Sequence, residues 1–153
     1  MASALDRKWM AEAIDLAEAA QEWGEVPVGA VVVQDGSIIG RGYNRPVSDH
    51  DPSAHAEIVA LRDAAKNKQN YRLPGSTLYV TLEPCIMCAG AIVHARIKRL
   101  VFGCRDPRSG AAGSQLNLIE NEFLNHQAIL EAGVLEAECR RLLTQFFANK
   151  RTA

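Results

Sequence analysis

Between residues 5 and 23, apolar positions recur at Trp9, Met10, Ala13, Ile14, Ala17 and Ala20, which is one side of a helix, and Gly24 supplies its stop. Residues 26–33 are apolar without alternation and read as a central strand buried on both faces. Asp35-Gly36 is a two-residue turn signal, so residues 37–43 return as the second strand of a hairpin. Pro74-Gly75 turns the chain into a strand over 76–82, and shorter strands follow over 99–103 and, more weakly, 127–130. Three further helices alternate with these strands. One is capped by Ser53 and carries Ile58, Leu61 and Ala65 on a face. The next opens at Pro84 and ends near Arg96, and the last carries Leu135, Cys139, Leu142, Leu143 and Phe146 on one stripe. The pattern predicts an α/β fold, a three-layer α/β/α sandwich about a five-stranded mixed sheet, with the hairpin first and the later strands parallel.

Two stretches escape the pattern, residues 44–54 and 104–118, and irregular segments of that length tend to carry function. At 153 residues the chain fits a single domain spanning 1–153, and 48% apolar with 23% charged residues is an ordinary globular balance. No apolar run reaches the ~20 residues of a membrane span. The first ten residues contain Asp6, Arg7 and Lys8 and resemble no signal peptide, so a cytoplasmic protein is expected. Net charge is −1, but its distribution is uneven: Arg96, Lys98, Arg99, Arg105 and Arg108 cluster mid-chain, while the first helix is acidic. Such a basic face suits phosphates, as a solvated surface also would.

Two clusters carry the candidate chemistry, His55-Ala56-Glu57 and Pro84-Cys85-Ile86-Met87-Cys88. Each falls at the start of a predicted helix, where the positive end of the dipole favours thiolates. One imidazole and two thiolates suit Zn²⁺, and a three-ligand set leaves a coordination position for water, as catalytic zinc sites do. A redox dithiol would also explain Cys85 and Cys88, but leaves His55 and Glu57 unaccounted for. Glu57, two residues from His55, points elsewhere on its helix and is placed as a base off the metal. The order H-x-E…P-C-x-x-C is the established signature of zinc deaminases acting on nucleobases.

Beyond that signature, Val26-Pro27-Val28-Gly29-Ala30, Gly42-Tyr43-Asn44-Arg45-Pro46, His55-Ala56-Glu57-Ile58, Thr81-Leu82-Glu83-Pro84-Cys85 and Gly110-Ala111-Ala112-Gly113-Ser114 resemble the bacterial tRNA-specific adenosine deaminases, the TadA family of the cytidine deaminase-like superfamily. Asn125-His126 and Phe146-Phe147 fit as well. The resemblance implies a cytidine deaminase-like fold and one Zn²⁺ per subunit held by His55, Cys85 and Cys88. It implies hydrolysis of adenosine to inosine at the wobble position of a bacterial arginine tRNA, with Glu57 shuttling protons to N1 and the leaving amine. It further implies base contacts from Asn44 and the Ala56 amide, a sugar contact from Asp106, and a homodimer. Arg105, Arg108, Lys150 and Arg151 are candidate phosphate contacts, and Phe147 could stack a splayed base of the anticodon stem-loop or simply pack the last helix.

The remaining chemistry-bearing residues take plainer roles. His50 is expected in solvent, His94 in packing or a subunit contact, and Cys104 and Cys139 as small buried hydrophobes. Two other functions would use part of this set. A deaminase of free bases has no need of the basic residues, and a zinc-stabilised RNA-binding module has no use for Glu57.

Overall fold

The computed structural model describes residues 3–152. The elements run α1 (Ala4–Glu22), β1 (Gly29–Gln34), β2 (Ser37–Tyr43), α2 (Ala56–Lys68), β3 (Thr77–Leu82), α3 (Ile86–His94), β4 (Arg99–Cys104), β5 (Ile129–Ala132) and α4 (Glu136–Thr152). The strands form one sheet in the order β2-β1-β3-β4-β5, with β1 antiparallel to both neighbours and β3, β4 and β5 parallel. The expected sandwich, hairpin and parallel run are all present.

Strand alternation builds the layers. Ala30, Val32, Leu78, Val80, Leu100 and Phe102 face α2 and α3, packing on Ala60, Leu61, Ala89 and Ile92. Val31, Val33, Tyr79 and Val101 point the other way, onto Trp9, Met10 and Ala13 of α1 and Cys139 of α4. No side-chain layer separates β2 from α2. A Cβ on Gly42 would stand 2.5 Å from the Ala56 carbonyl oxygen, and one on Gly40 would stand 2.7 Å from the Ala64 nitrogen. Glycine here lets the helix rest on strand backbone, which fixes where the first turn of α2 lies.

Several boundaries differ from expectation, for local reasons. β1 begins at Gly29, not at 26, because Pro27 has no N–H to give a ladder. Residues 26–28 instead run past the end of the sheet. Ser53 does not cap α2: its hydroxyl and amide both bond Asp51 Oδ1, and His55 is the N-cap. The Ala56 amide is met from outside the helix by Asn44 Oδ1, at 2.8 Å. β5 lies two residues later than its pattern suggested, pairing Ile129 with Arg99 at the edge of the sheet. α3 stops at His94, before a left-handed Arg96.

One buried ion pair fastens α1 to the sheet. Asp6 accepts from Arg99 Nη1 and Nη2 at 2.7 Å each and from the Tyr79 hydroxyl at 2.7 Å. Asp6 also completes a reciprocal cap with Ser3 at the start of α1. The Arg99 guanidinium holds the Asp6 carboxyl well below the usual carboxylate range, against the opposing effect of burial. Asp6→Asn should therefore cost about 2–4 kcal/mol, read from the urea midpoint at pH 7. Because the folded-state value is depressed, this stabilisation is complete above the ordinary value of 3.8 and fades as pH falls through the folded-state value. Wild type and Asp6→Asn should accordingly converge in stability as acid is added; a gap that stays constant down to unfolding would refute this.

Candidate metal centre and adjoining cleft

The C-terminal end of β3 delivers Leu82, Glu83 and Pro84 to the start of α3, where Cys85 is the N-cap. Across from it His55 is the N-cap of α2, so two helix N-termini aim at one point. Cys88 follows one turn into α3 and is fully buried. His55 Nδ1 lies 3.6 Å from the sulfur of Cys85 and 3.6 Å from that of Cys88. The three ligand atoms lie within 4.8 Å of one another. A tetrahedral zinc with ordinary Zn–N and Zn–S bonds separates such atoms by ~3.5–3.8 Å. The donor set and the two N···S separations thus fit a zinc ion, and Glu57 is not one of the converging three.

The protonation of the group points the same way. The Cys85 thiol is drawn down to about 3, chiefly by the Cys88 thiol donating to it and then by His55, with burial opposing. Cys88 is pushed upward by that same bond and by burial, and His55 upward by its bond to Cys85. A divalent ion replaces the shared protons with its own charge. Glu57 sits in the first turn of α2, 4% exposed, and burial raises its carboxyl to about 7. A carboxyl in that range both takes and gives protons near neutral pH.

His55, Glu57 and Cys85 border a cavity of about 330 Å³ whose other walls are Val26, Val28, Asn44, Pro46, Leu82, Glu83, Asp106 and Ser109. A second cleft of about 540 Å³ shares Val26, Leu82, Asp106 and Ser109 with it, so the two adjoin. That cleft is lined by Arg105, Arg108, Arg140, Leu143, Phe147 and Arg151. The structure therefore brings together every site residue expected from the sequence except Lys150, which lies over the Phe146 ring at 5.4 Å and does not line the cleft. Asn44 and Ala56 are present as a bonded pair: the backbone amide already has its acceptor, and the side-chain NH₂ of Asn44 is the donor that remains. Asp106 Oδ1 accepts from the amides of Arg108 and Ser109, at 3.1 and 3.2 Å, which shapes its own loop. Arg105 stacks over Phe102, 5.4 Å from the ring centroid.

Sequence reasoning missed Arg140, Ser109 and two buried carboxylates. Arg140 had a signal: with Leu143, Phe147 and Arg151 it makes a single helix face of α4. The carboxylates are Glu25 and Glu83. Glu25 accepts from the amide of Val47 at 3.3 Å and from the amide and hydroxyl of Ser48 at 2.6 and 2.7 Å. Glu83 holds the loop after β4 in the same manner. His50 and His94 are exposed, and Cys104 and Cys139 are buried with thiols pushed by burial to about 11 and about 12.

Residues 3–104 match the family model for the cytidine and deoxycytidylate deaminase zinc-binding region. The chain is 54% identical over 150 residues, 97% of its length and 87% of the relative's, to a tRNA-specific adenosine deaminase from Haemophilus influenzae. A structure from a study of A-to-I editing by tRNA:A34 deaminases at the wobble position superposes with a TM-score of 0.86 at 43% identity, covering 89% of this chain and 99% of that one. A guanine deaminase from Bacillus subtilis superposes with a TM-score of 0.64 at 39% identity, covering 70% of this chain and 69% of that one.

Cys88→Ser should purify with little bound zinc by elemental analysis, against about one ion per chain in wild type. Zinc added to metal-free wild type at pH 7 should release protons into a weakly buffered solution, and binding without acidification would contradict the protonation described.

Proposed function

This chain belongs to the cytidine and deoxycytidylate deaminase zinc-binding family, and on that premise we propose that it hydrolyses adenosine to inosine at the wobble position of a tRNA anticodon, an arginine tRNA in particular. The observation that carries the reading is the continuity of the cavity bordered by His55 and Cys85 with a cleft lined by four arginines and Phe147. A single base fits the first and the flanking nucleotides of an anticodon stem-loop the second, with arginines on phosphates and an aromatic face for stacking. The near-complete coverage by tRNA-specific relatives supports the same substrate.

Bound zinc supplies a water acidic enough to react near neutral pH. Glu57 lines the same cavity as His55 and Cys85, with its carboxyl tuned upward by burial. It takes a proton from the water as the water oxygen bonds C6 and places it on N1 of adenine; it then carries the proton of the new C6 hydroxyl to the amine, whose bond to C6 breaks as the C6 carbonyl forms, so ammonia leaves and inosine remains. Asn44, braced by the Ala56 amide, offers its side-chain NH₂ to the base. Asp106 keeps Oδ2 for a ribose 2′-hydroxyl while Oδ1 holds its loop. Val26 and Val28 supply apolar contact to the ring.

The chain works as one domain in a homodimer. The surface that supports pairing is the largely apolar hollow between α2 and α3, lined by Ile58, Leu61, Ala65, Tyr71, Ala91 and Ala95 together with Arg62 and His94. Among the described residues no helix is long and apolar enough to cross a membrane, and a tRNA substrate favours a cytoplasmic location. A free-base reading has the guanine deaminase likeness in its favour, but it leaves the arginine cleft without a use.

The decisive experiment incubates the zinc-loaded protein with an arginine tRNA bearing an unmodified wobble adenosine and sequences for inosine. Conversion of the tRNA but not of free adenosine is expected; ammonia from free guanine with untouched tRNA would replace this reading with the other. Glu57→Ala should keep its zinc and lose about 10²–10⁴-fold or more in turnover. Asp106→Asn should narrow the preference for an RNA stem-loop over its DNA counterpart, and an unchanged ratio would remove Asp106 from sugar recognition.

A further inference from the structure

Glu83 is 2% exposed, two residues before Cys85, and no step of the proposed reaction uses it. Its carboxylate is nonetheless saturated. Oε1 accepts from the Asp106 amide at 3.0 Å and from the Ser114 hydroxyl. Oε2 accepts from the Ala112 amide at 3.1 Å and the Ser114 amide at 3.0 Å. A carboxylate has about four acceptor positions, so none is left for a substrate. All four bonds go to one loop, residues 106–114, which carries Asp106 and Ser109 into both the cavity and the cleft.

The loop is wrapped around this group. A Cβ on Gly110 would collide with the Glu83 carboxylate and stand 2.6 Å from the Asp106 carbonyl oxygen. The next residue bonds the same segment, the Ala111 amide donating to the Pro84 carbonyl at 2.8 Å. On the other side the Glu83 amide donates to the Cys104 carbonyl at 2.8 Å. Glu83 thus ties the turn that presents the cysteine ligands to the wall that faces the substrate.

We propose that Glu83 is a positioning residue: it sets the separation between the metal-ligand turn and the wall carrying Asp106 and Ser109, and thereby determines how well a structured RNA is held. This rests on the tRNA reading above. Acting through the wall, it affects capture of the stem-loop more than the chemical step, because all four of its carboxylate bonds go to the loop of residues 106–114 and none to His55, Glu57 or the cysteines.

Steady-state kinetics of zinc-loaded protein on an anticodon stem-loop RNA separate these effects. Glu83→Gln turns an NH₂ towards amide donors and should raise KM roughly tenfold or more, with kcat within about threefold and zinc per chain unchanged. Gly110→Ala, which alters no polar group, should give the same split. The double variant should be no worse than the worse single one, since both break one tether. Ser114→Ala removes only the hydroxyl bond, folds most readily of the set, and should raise KM by a smaller factor. KM unchanged in Ser114→Ala and Gly110→Ala would overturn the proposal. So would a loss confined to kcat in proportion to lost zinc, or effects that multiply in the double variant. Wild type making no inosine in the stem-loop would instead strike the tRNA reading itself.

Discussion

Ligand atoms on segments thirty residues apart must meet at 3.6 Å, and the architecture is arranged to make them do so. Both helices present their N-terminal ends to the meeting point, and those ends carry positive partial charge that would repel a bare cation. Two sulfur ligands reverse the sign, since the same field that opposes a cation stabilises a thiolate. Holding the helix ends in place takes rigid backing. α2 lies on the glycine backbone of β2, and α3 follows directly from β3, an interior strand with neighbours on both sides. Neither helix can shift without carrying strand backbone with it.

The layers and strand order could be read from the chain because they follow from period and burial. β1 is apolar and buried up to its last residue, Gln34, since it lies between two strands and under helices on both faces, and the hairpin is fixed by Asp35-Gly36. The zinc ligands could be read too, since their spacing is dictated by the metal. What could not be read depends on partners distant in sequence. Ser53 had the composition of a cap, but Asp51 claimed it, and Asn44 capped α2 from across a loop. Glu83 looks like any acid before a Pro-Cys pair until the loop of residues 106–114 folds over it. Edge strand β5, short and half-exposed, has too little pattern to fix its register.

Buried glutamates in this molecule differ by what surrounds them and not by depth alone. Burial raises the carboxyl of Glu25 and of Glu83, yet hydrogen bonds, led by Ser48 and Ser114 respectively, outweigh it and hold both below the usual value. Both therefore stay ionised and act as fasteners for the two loops that frame the cavity. Glu57 is equally enclosed, has no comparable ring of donors, and is raised to about 7. The number of donated amides separates a carboxylate held ionised from one raised towards neutral pH, and the same side chain can be either.

The pieces of the site are also ordered along the chain: His55 and Glu57, then the cysteines, then the wall of residues 106–114, and lastly the α4 face of Arg140, Phe147 and Arg151. A ribosome releases them in that order, at about 5–20 residues per second. All three ligand residues precede α4 in the chain, and two of the cleft's four arginines, Arg140 and Arg151, arrive only with that last helix. A nascent chain built this way presents its three ligand residues before the α4 side of the cleft exists.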